Sequence, residues 1–252
     1  MAIERIKVNV HKSEQEIQKV LDLENMEQHL CAISEEIFQK ENEVGSGNFS
    51  RVYRDGKGFV YKKEKPFKNP TNNVHAEAEF LSRLVGFSDK VKIPFPVVSF
   101  VADVKRNENE KAVRQSVIAM EEIKGFSIDR MMPSISGASP EIPFPEKFNP
   151  ESFFQDLIEF VEKMHKEKNI YHRDIADRNI MIEESTGMPV LIDFGDAVEF
   201  VEEFAEEGES DAYGRKIVRD NAENFLPRED IDLGNIEALR DSVKAYLTKI
   251  NS

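Results

Sequence analysis

Residues 172–195 read HRDIADRNIMIEESTGMPVLIDFG. The stretch holds an H-R-D-x-x-x-x-N loop, an apolar run, a polar turn, a second apolar run and then D-F-G. Ile180, Met181 and Ile182 suit a first strand, residues 183–188 a turn containing Gly187, and Val190, Leu191 and Ile192 a returning strand. One hairpin would then deliver Asp174, Asn179 and Asp193 to the same mouth. Phosphoryl transfer asks little covalent chemistry of a protein. It asks for a carboxylate that orients a hydroxyl and for oxygen ligands that hold metal ions against phosphates. Asp174 suits the first task, and Asn179 with Asp193 suits the second.

Working outward, residues 44–53 read VGSGNFSRVY. Gly45 and Gly47 let backbone come close to phosphates, Phe49 can cap the tip, and Ser50 stands where a third glycine is common. The next strand-like run, GFVYKK over 58–63, alternates so that Val60 and Lys62 share one face while Tyr61 and Lys63 share the other. An apolar lid over a base followed by a phosphate-binding ammonium selects Lys62. A helix over 73–84 offers Glu77 and Glu79. Glu77 shares the inward stripe of Leu81 and Leu84, so it is the carboxylate suited to hold Lys62, whereas Glu79 faces water. Residues 116–125, SVIAMEEIKG, read as a strand ending in a turn, able to offer backbone groups to an adenine edge from Glu121 to Ile123. In the loop itself, His172 reads as a core histidine because Asp174 already fills the role of base. Arg178 carries positive charge where position 176 is alanine, and Arg173 calls for an anionic partner.

The organisation reads as three parts. Residues 1–34 form an extension, with Ile3, Ile6, Val8 and Val10 as a short strand and a helix from Ser13 to about Glu36 opened by a Ser13/Glu16 capping box. That helix either packs on the neighbouring lobe or forms a regulatory arm for a partner. Residues 35–120 are strand-rich around the helix over 73–84, with a turn at Asp55-Gly56-Lys57-Gly58. Residues 121–252 begin with a crossing segment and continue mainly as helix, starting at Asn149-Pro150 as cap and first turn. A β-rich lobe joined to a helical lobe places a ligand in the cleft between them.

Composition narrows the partners. The 252 residues carry 40% hydrophobic and 33% charged side chains, ordinary for a globular protein. A net charge of −14 argues against nucleic acid and anionic membrane as partners, and favours basic or neutral macromolecular substrates. No apolar run approaches the roughly 20 residues that span a bilayer. Cys31 is the single cysteine, which points to a reducing, cytoplasmic setting without a disulfide framework.

HRDIADRN together with LIDFG resembles the eukaryotic-type protein kinase superfamily, over about residues 44–195 with a weaker continuation to 247. The resemblance implies an α+β, bilobal fold with an antiparallel sheet in the first lobe and a mostly helical second lobe. It implies ATP and Mg2+, a protein substrate, Asp174 as catalytic base, Lys62 paired with Glu77, and Asn179 and Asp193 as metal ligands. It further implies Gly45, Gly47, Val52 and Val60 around the nucleotide, with Glu121 and Ile123 at its base. The A-x-R pattern of Ala176 to Arg178 is similar to that of tyrosine kinases. The chain departs from the pattern after Gly195. A-P-E is missing unless FLPRE at 225–229 is a degenerate form, and DIDLG at 230–234 opens a helix to about 247. A shortened second lobe is similar to compact bacterial effector kinases, which would be delivered into a host cytosol, and to atypical and aminoglycoside kinases. Residues 198–211 read as an amphipathic helix with Glu199, Glu202, Glu203, Glu206 and Glu207 on one face. Its carboxylates, or Glu209 and Asp211, would serve Arg173 in place of a phosphate. Two other functions share these residues: a kinase for small molecules or glycans, and a nucleotide-binding scaffold that has lost catalysis.

Overall fold

The computed structural model describes residues 2–11, 33–47, 50–65, 74–105, 113–133, 140, 142–200, 217–218 and 229–250. The chain divides into two compact units. Unit 1 comprises residues 1–82 and 95–122, and unit 2 comprises residues 83–94 and 123–252.

Unit 1 is built on one antiparallel sheet. Its strands are β1 (Ala2–Val10), β2 (Glu43–Ser46), β3 (Ser50–Arg54), β4 (Phe59–Glu64), β5 (Pro96–Lys105) and β6 (Val113–Glu121), and the order across the sheet is β1-β5-β6-β4-β3-β2. Alternation sorts each strand into a core face and a second face. Tyr61, Val97, Phe100, Val117 and Ala119 cluster in the core with Ile33, and Val8, Ile37, Phe38 and Phe59 pack against them. The β3–β4 turn closes on Asp55, whose carboxylate accepts from the Lys57 and Phe59 amides at 2.7 and 3.0 Å. Gly56 and Gly58 supply the positive φ angles of 72° and 101° that this turn needs. Helix α1 (Val74–Leu84) turns Ala78, Phe80 and Leu81 inward. The expected N-terminal strand is present as β1, and it runs along β5 from Ala2 opposite Lys105 to Val10 opposite Val98. Of the helix expected from Ser13, only a π turn at Ile33–Ile37 lies among the described residues. Cys31, Phe49 and residue 73 lie outside them.

Unit 2 centres on α2 (Pro150–Lys168). Asn149 caps it, its side chain accepting from the Glu151 and Ser152 amides, and Asn169 ends it in the left-handed region at φ 52°. Phe154, Leu157, Val161 and Met164 form its buried stripe. Helix α3 (Glu229–Ile250) contributes Ile236 and Val243 to the core. Short strands fill the rest: β7 (Gly125–Ser127), β8 (Ile170–Tyr171), β9 (Ile180–Glu183), β10 (Pro189–Leu191), β11 (Val198–Phe200) and β12 (Ile217–Val218), in two three-stranded sheets ordered β10-β9-β7 and β12-β11-β8. The hairpin expected from the sequence is β9–β10, with Leu191 opposite Ile180.

One expectation is corrected. Residues 198–200 are strand, not the first turn of a helix. Val198 pairs with Tyr171 and Glu199 with Ile170, so backbone pairing overrides the local helical pattern. Glu199 does not face Arg173. It takes a two-pronged contact from Arg83, whose Nη1 and Nη2 donate to its carboxylate at 2.9 and 2.8 Å. The remaining acidic residues, 202–211, lie outside the described residues, as does most of the FLPRE stretch.

Candidate active site

In unit 1, strand pairing gathers Val52, Val60 and Lys62. Val52 stands directly opposite Lys62, and Val60 precedes Lys62 by two residues, so all three share one sheet face. Lys62 Nζ donates to both carboxylate oxygens of Glu77 at 2.7 Å each. The pair is nearly buried, at 7% and 4% side-chain exposure, which makes it a strong, well-fixed contact and a costly one to break. Lys63 points elsewhere, its ammonium 4.2 Å from the Phe38 ring centre. Glu79 is more exposed than Glu77, in line with the stripe argument.

The glycine-rich turn joins β2 and β3. Gly45 pairs with Val52, and the Gly47 amide donates to the Ser50 carbonyl at 3.0 Å. A Cβ built on Gly47 would meet nothing within 4 Å, and one on Gly45 would meet only the Val52 side chain, at 3.7 Å and beyond. The fold itself therefore has no steric need for glycine here, and the space beside the turn suits a ligand that approaches backbone. Lys65 adds a feature missed in the sequence: its ammonium donates to the Gly47 carbonyl, bringing positive charge to this turn. At the end of β6, the Glu121 amide donates to Phe95 and the Glu122 amide to Gly58.

Unit 2 holds the other candidates. Asp174 is gripped at both carboxylate oxygens: Arg178 Nη2 donates to Oδ1 at 2.6 Å, and Asn179 Nδ2 donates to Oδ2 at 2.8 Å. Asn179 Nδ2 also donates to the Asp174 carbonyl at 2.8 Å. With its nitrogen committed to Asp174, the amide oxygen of Asn179 is the end left for another ligand. The Ile192 amide donates to the Asn179 carbonyl at 3.0 Å, which brings the start of D-F-G beside Asn179. Asp193 then adopts a left-handed backbone at φ 63°, and its Oδ1 accepts from the Gly195 amide at 3.4 Å. A carboxylate and an amide oxygen form an all-oxygen donor set, which fits a hard divalent cation. Among the described residues no cluster of three or more His, Cys, Asp or Glu side chains forms a separate metal site.

Asp232 is the residue that sequence reasoning missed. It is 1% exposed, on α3. Its Oδ2 accepts from the His172 amide at 2.9 Å and from His165 Nε2 at 3.1 Å, and its Oδ1 accepts from the Arg173 amide at 3.0 Å. These bonds hold Arg173 at φ 67°, a left-handed conformation that a side chain rarely adopts unaided. The available signal was an aspartate four residues before Ile236, on the buried face of its helix. The Arg173 side chain is exposed, so burial does not force an ion pair upon it. His172 is fully buried, with Nε2 2.9 Å from the Ile192 carbonyl and its ring 4.6 Å from that of Phe194. Burial holds its pKa below the ordinary value against the pull of Asp232, Asp193 and Asp174, as a packed core histidine requires.

Comparison with known proteins gives the family of the chain. A family model described as protein kinase domain matches residues 38–213. A probable serine/threonine-protein kinase of Dictyostelium discoideum is 24% identical over 161 residues, covering 64% of this chain and 15% of that relative. The chain thus spans only a small part of the length of the curated relative it matches.

Proposed function

Because the chain belongs to the protein kinase domain family, we propose that it is an active phosphotransferase that moves the γ-phosphate of ATP to a Ser, Thr or Tyr hydroxyl of a protein substrate. The observation that carries this reading is the Asp174 carboxylate, fixed through both oxygens by Arg178 and Asn179. A scaffold without catalysis has no need for so defined a carboxylate.

The roles follow from each residue's surroundings. Asp174 aligns the incoming hydroxyl and takes its proton. Arg178 anchors Asp174 and contributes positive charge beside the transferred group. Lys62, held by Glu77, grips the phosphates as a fixed cation rather than a wandering one. Gly45 and Gly47 offer backbone to the phosphates, Val52 and Val60 cover the adenine, and Glu121 and Ile123 meet its edge. Asn179 and Asp193 are the residues that would hold magnesium, and magnesium when bound neutralises charge on the phosphates. No helix among the described residues is long and apolar enough to cross a membrane. A cytoplasmic protein acting on soluble protein substrates agrees with that and with the single cysteine.

Incubation with ATP labelled at the γ-position tests the reading. Wild type labels itself or an added protein, and Lys62→Ala and Asp174→Ala abolish the label while retaining the fold by circular dichroism. Label reaching only small acceptors would transfer the reading to a small-molecule kinase. Equal inertness of wild type and Asp174→Ala toward every acceptor would leave a scaffold.

A further inference from the structure

The family match covers residues 38–213, so β1 and the residue that follows it, His11, lie outside the matched stretch. β1 covers β5, which would otherwise be the edge of the sheet. The His11 amide continues the pairing by donating to the Val97 carbonyl at 3.1 Å. Its ring then does something that sheet pairing does not require. His11 Nδ1 lies 3.1 Å from Ser82 Oγ on α1, and His11 Nε2 lies 3.1 Å from Ser99 Oγ on β5. Ser99 Oγ in turn lies 2.6 Å from His75 Nδ1, at the start of α1. Two of the four side chains are deeply buried, His75 at 3% and Ser99 at 0% exposure.

The proton positions can be deduced along this run. Ser82 Oγ donates to the Ala78 carbonyl at 2.7 Å, so its one hydrogen is spent and it must accept from His11 Nδ1. Neutral His11 then carries its proton on Nδ1, and Nε2 accepts from the Ser99 hydroxyl. Ser99 oxygen is left to accept from His75 Nδ1. Each bond fixes the direction of the next, and the run grips α1 at His75 and again at Ser82. Glu77 lies between those two points on the same helix. Apolar packing alone lets a helix slide or roll over a sheet at small cost, whereas a satisfied buried network specifies one position.

We propose that His11 is a positioning residue: it sets α1 on the sheet so that Glu77 meets Lys62. Strand β1 is then a built-in brace for the phosphate-holding pair. This rests on the reading of Lys62 and Glu77 as that pair, but its first measurement does not.

Hydrogen–deuterium exchange on the full chain is that measurement. His11→Ala and Ser82→Ala are each expected to speed exchange of amides 74–84 at least tenfold, with β3 and β4 unchanged. Ser82→Ala leaves β1 and its core contacts in place, so it keeps the test meaningful where His11→Ala unfolds. His11→Asn, which keeps a donor near the Nδ1 position, restores slow exchange. In transfer assays the apparent KM for ATP rises about fivefold in the two alanine variants, as expected if only a fifth of molecules hold α1 in place before ATP binds. The rate at saturating ATP changes less than twofold, since bound ATP draws α1 back. Unchanged exchange over 74–84 in Ser82→Ala overturns the proposal whatever the assays give. Faster exchange with an unchanged KM in an active enzyme overturns it too, because Glu77 would then be set by something else. If wild type transfers no phosphate, the functional reading falls separately and the exchange result still decides whether His11 braces α1.

Discussion

At the residue scale, the loop over residues 172–179 is governed by side chains whose effects separate cleanly. Asp232 accepts three hydrogen bonds in the core, two of them from loop amides. Replacing it with alanine strands the His172 and Arg173 amides and removes support for the left-handed Arg173. A loss of about 3–5 kcal/mol is expected in urea unfolding, as for other broken buried charge contacts. Asp232→Asn keeps one accepting oxygen and falls between. Arg178 offers the opposite case. Its side chain is 58% exposed, so Arg178→Ala should shift stability by no more than about 0.5 kcal/mol. The transfer rate should nevertheless fall by roughly 10- to 100-fold, because Asp174 loses one of its two anchors. An unchanged rate would remove Arg178 from the site. The contrast also marks what a sequence discloses. Asp174, Asn179 and Asp193 are legible because short fixed spacings join them through one hairpin. Asp232 reaches the same loop from 60 residues away, and no spacing rule announces that.

At the element scale, legibility followed the strength of the local signal. The cap and stripe of α2 and the β9–β10 hairpin are local chemistry, and both stand where the sequence put them. β11 does not, because its acidic and apolar spacing suits a helix while its partner β8 lies far back in the chain. The β9–β10 turn shows how such a local element can depend on a distant one. Gly187 sits at φ 75°, and a Cβ there would come within 2.5 Å of the Lys147 carbonyl. Lys147 Nζ meanwhile donates to the Ser185 carbonyl at 2.7 Å, so the two segments are pressed together. Gly187→Ala must therefore carry both left-handed strain and a clash with backbone. A destabilisation of about 2 kcal/mol or more is expected from thermal unfolding. Gly47→Ala, at an open position, should leave the melting temperature within a degree or two while weakening nucleotide binding. Together the two variants separate a glycine needed by the fold from one needed by a ligand.

At the scale of the whole molecule, buried histidines make stability depend on pH in a predictable sense. His172 in unit 2 and His11 in unit 1 both have pKa values held below the ordinary 6.5, in each case mainly because burial penalises the charged ring. For His11, Glu79 pulls the other way. The unfolded chain therefore binds protons at these rings before the folded chain does. Stability from this source is complete above the unfolded value and is lost as pH falls through the lowered folded values. Urea midpoints should accordingly be flat between about pH 7.5 and 8.5 and should decline from about pH 6.5 downward. The decline begins above the range where ordinary carboxylates titrate, so it is assignable to histidine. His11→Asn removes one of the two rings while keeping a donor toward Ser82. Its midpoint should fall less steeply between about pH 6.5 and 5 than that of wild type. His172 contributes to the remaining slope, and its neutral ring holds the Ile192 carbonyl and packs against Phe194. Acid loosening of that ring should reach Asp193 next along the chain, so amides 192–195 should gain exchange at pH 5.5 in both proteins. Protection there that is independent of pH would exclude His172 as the source.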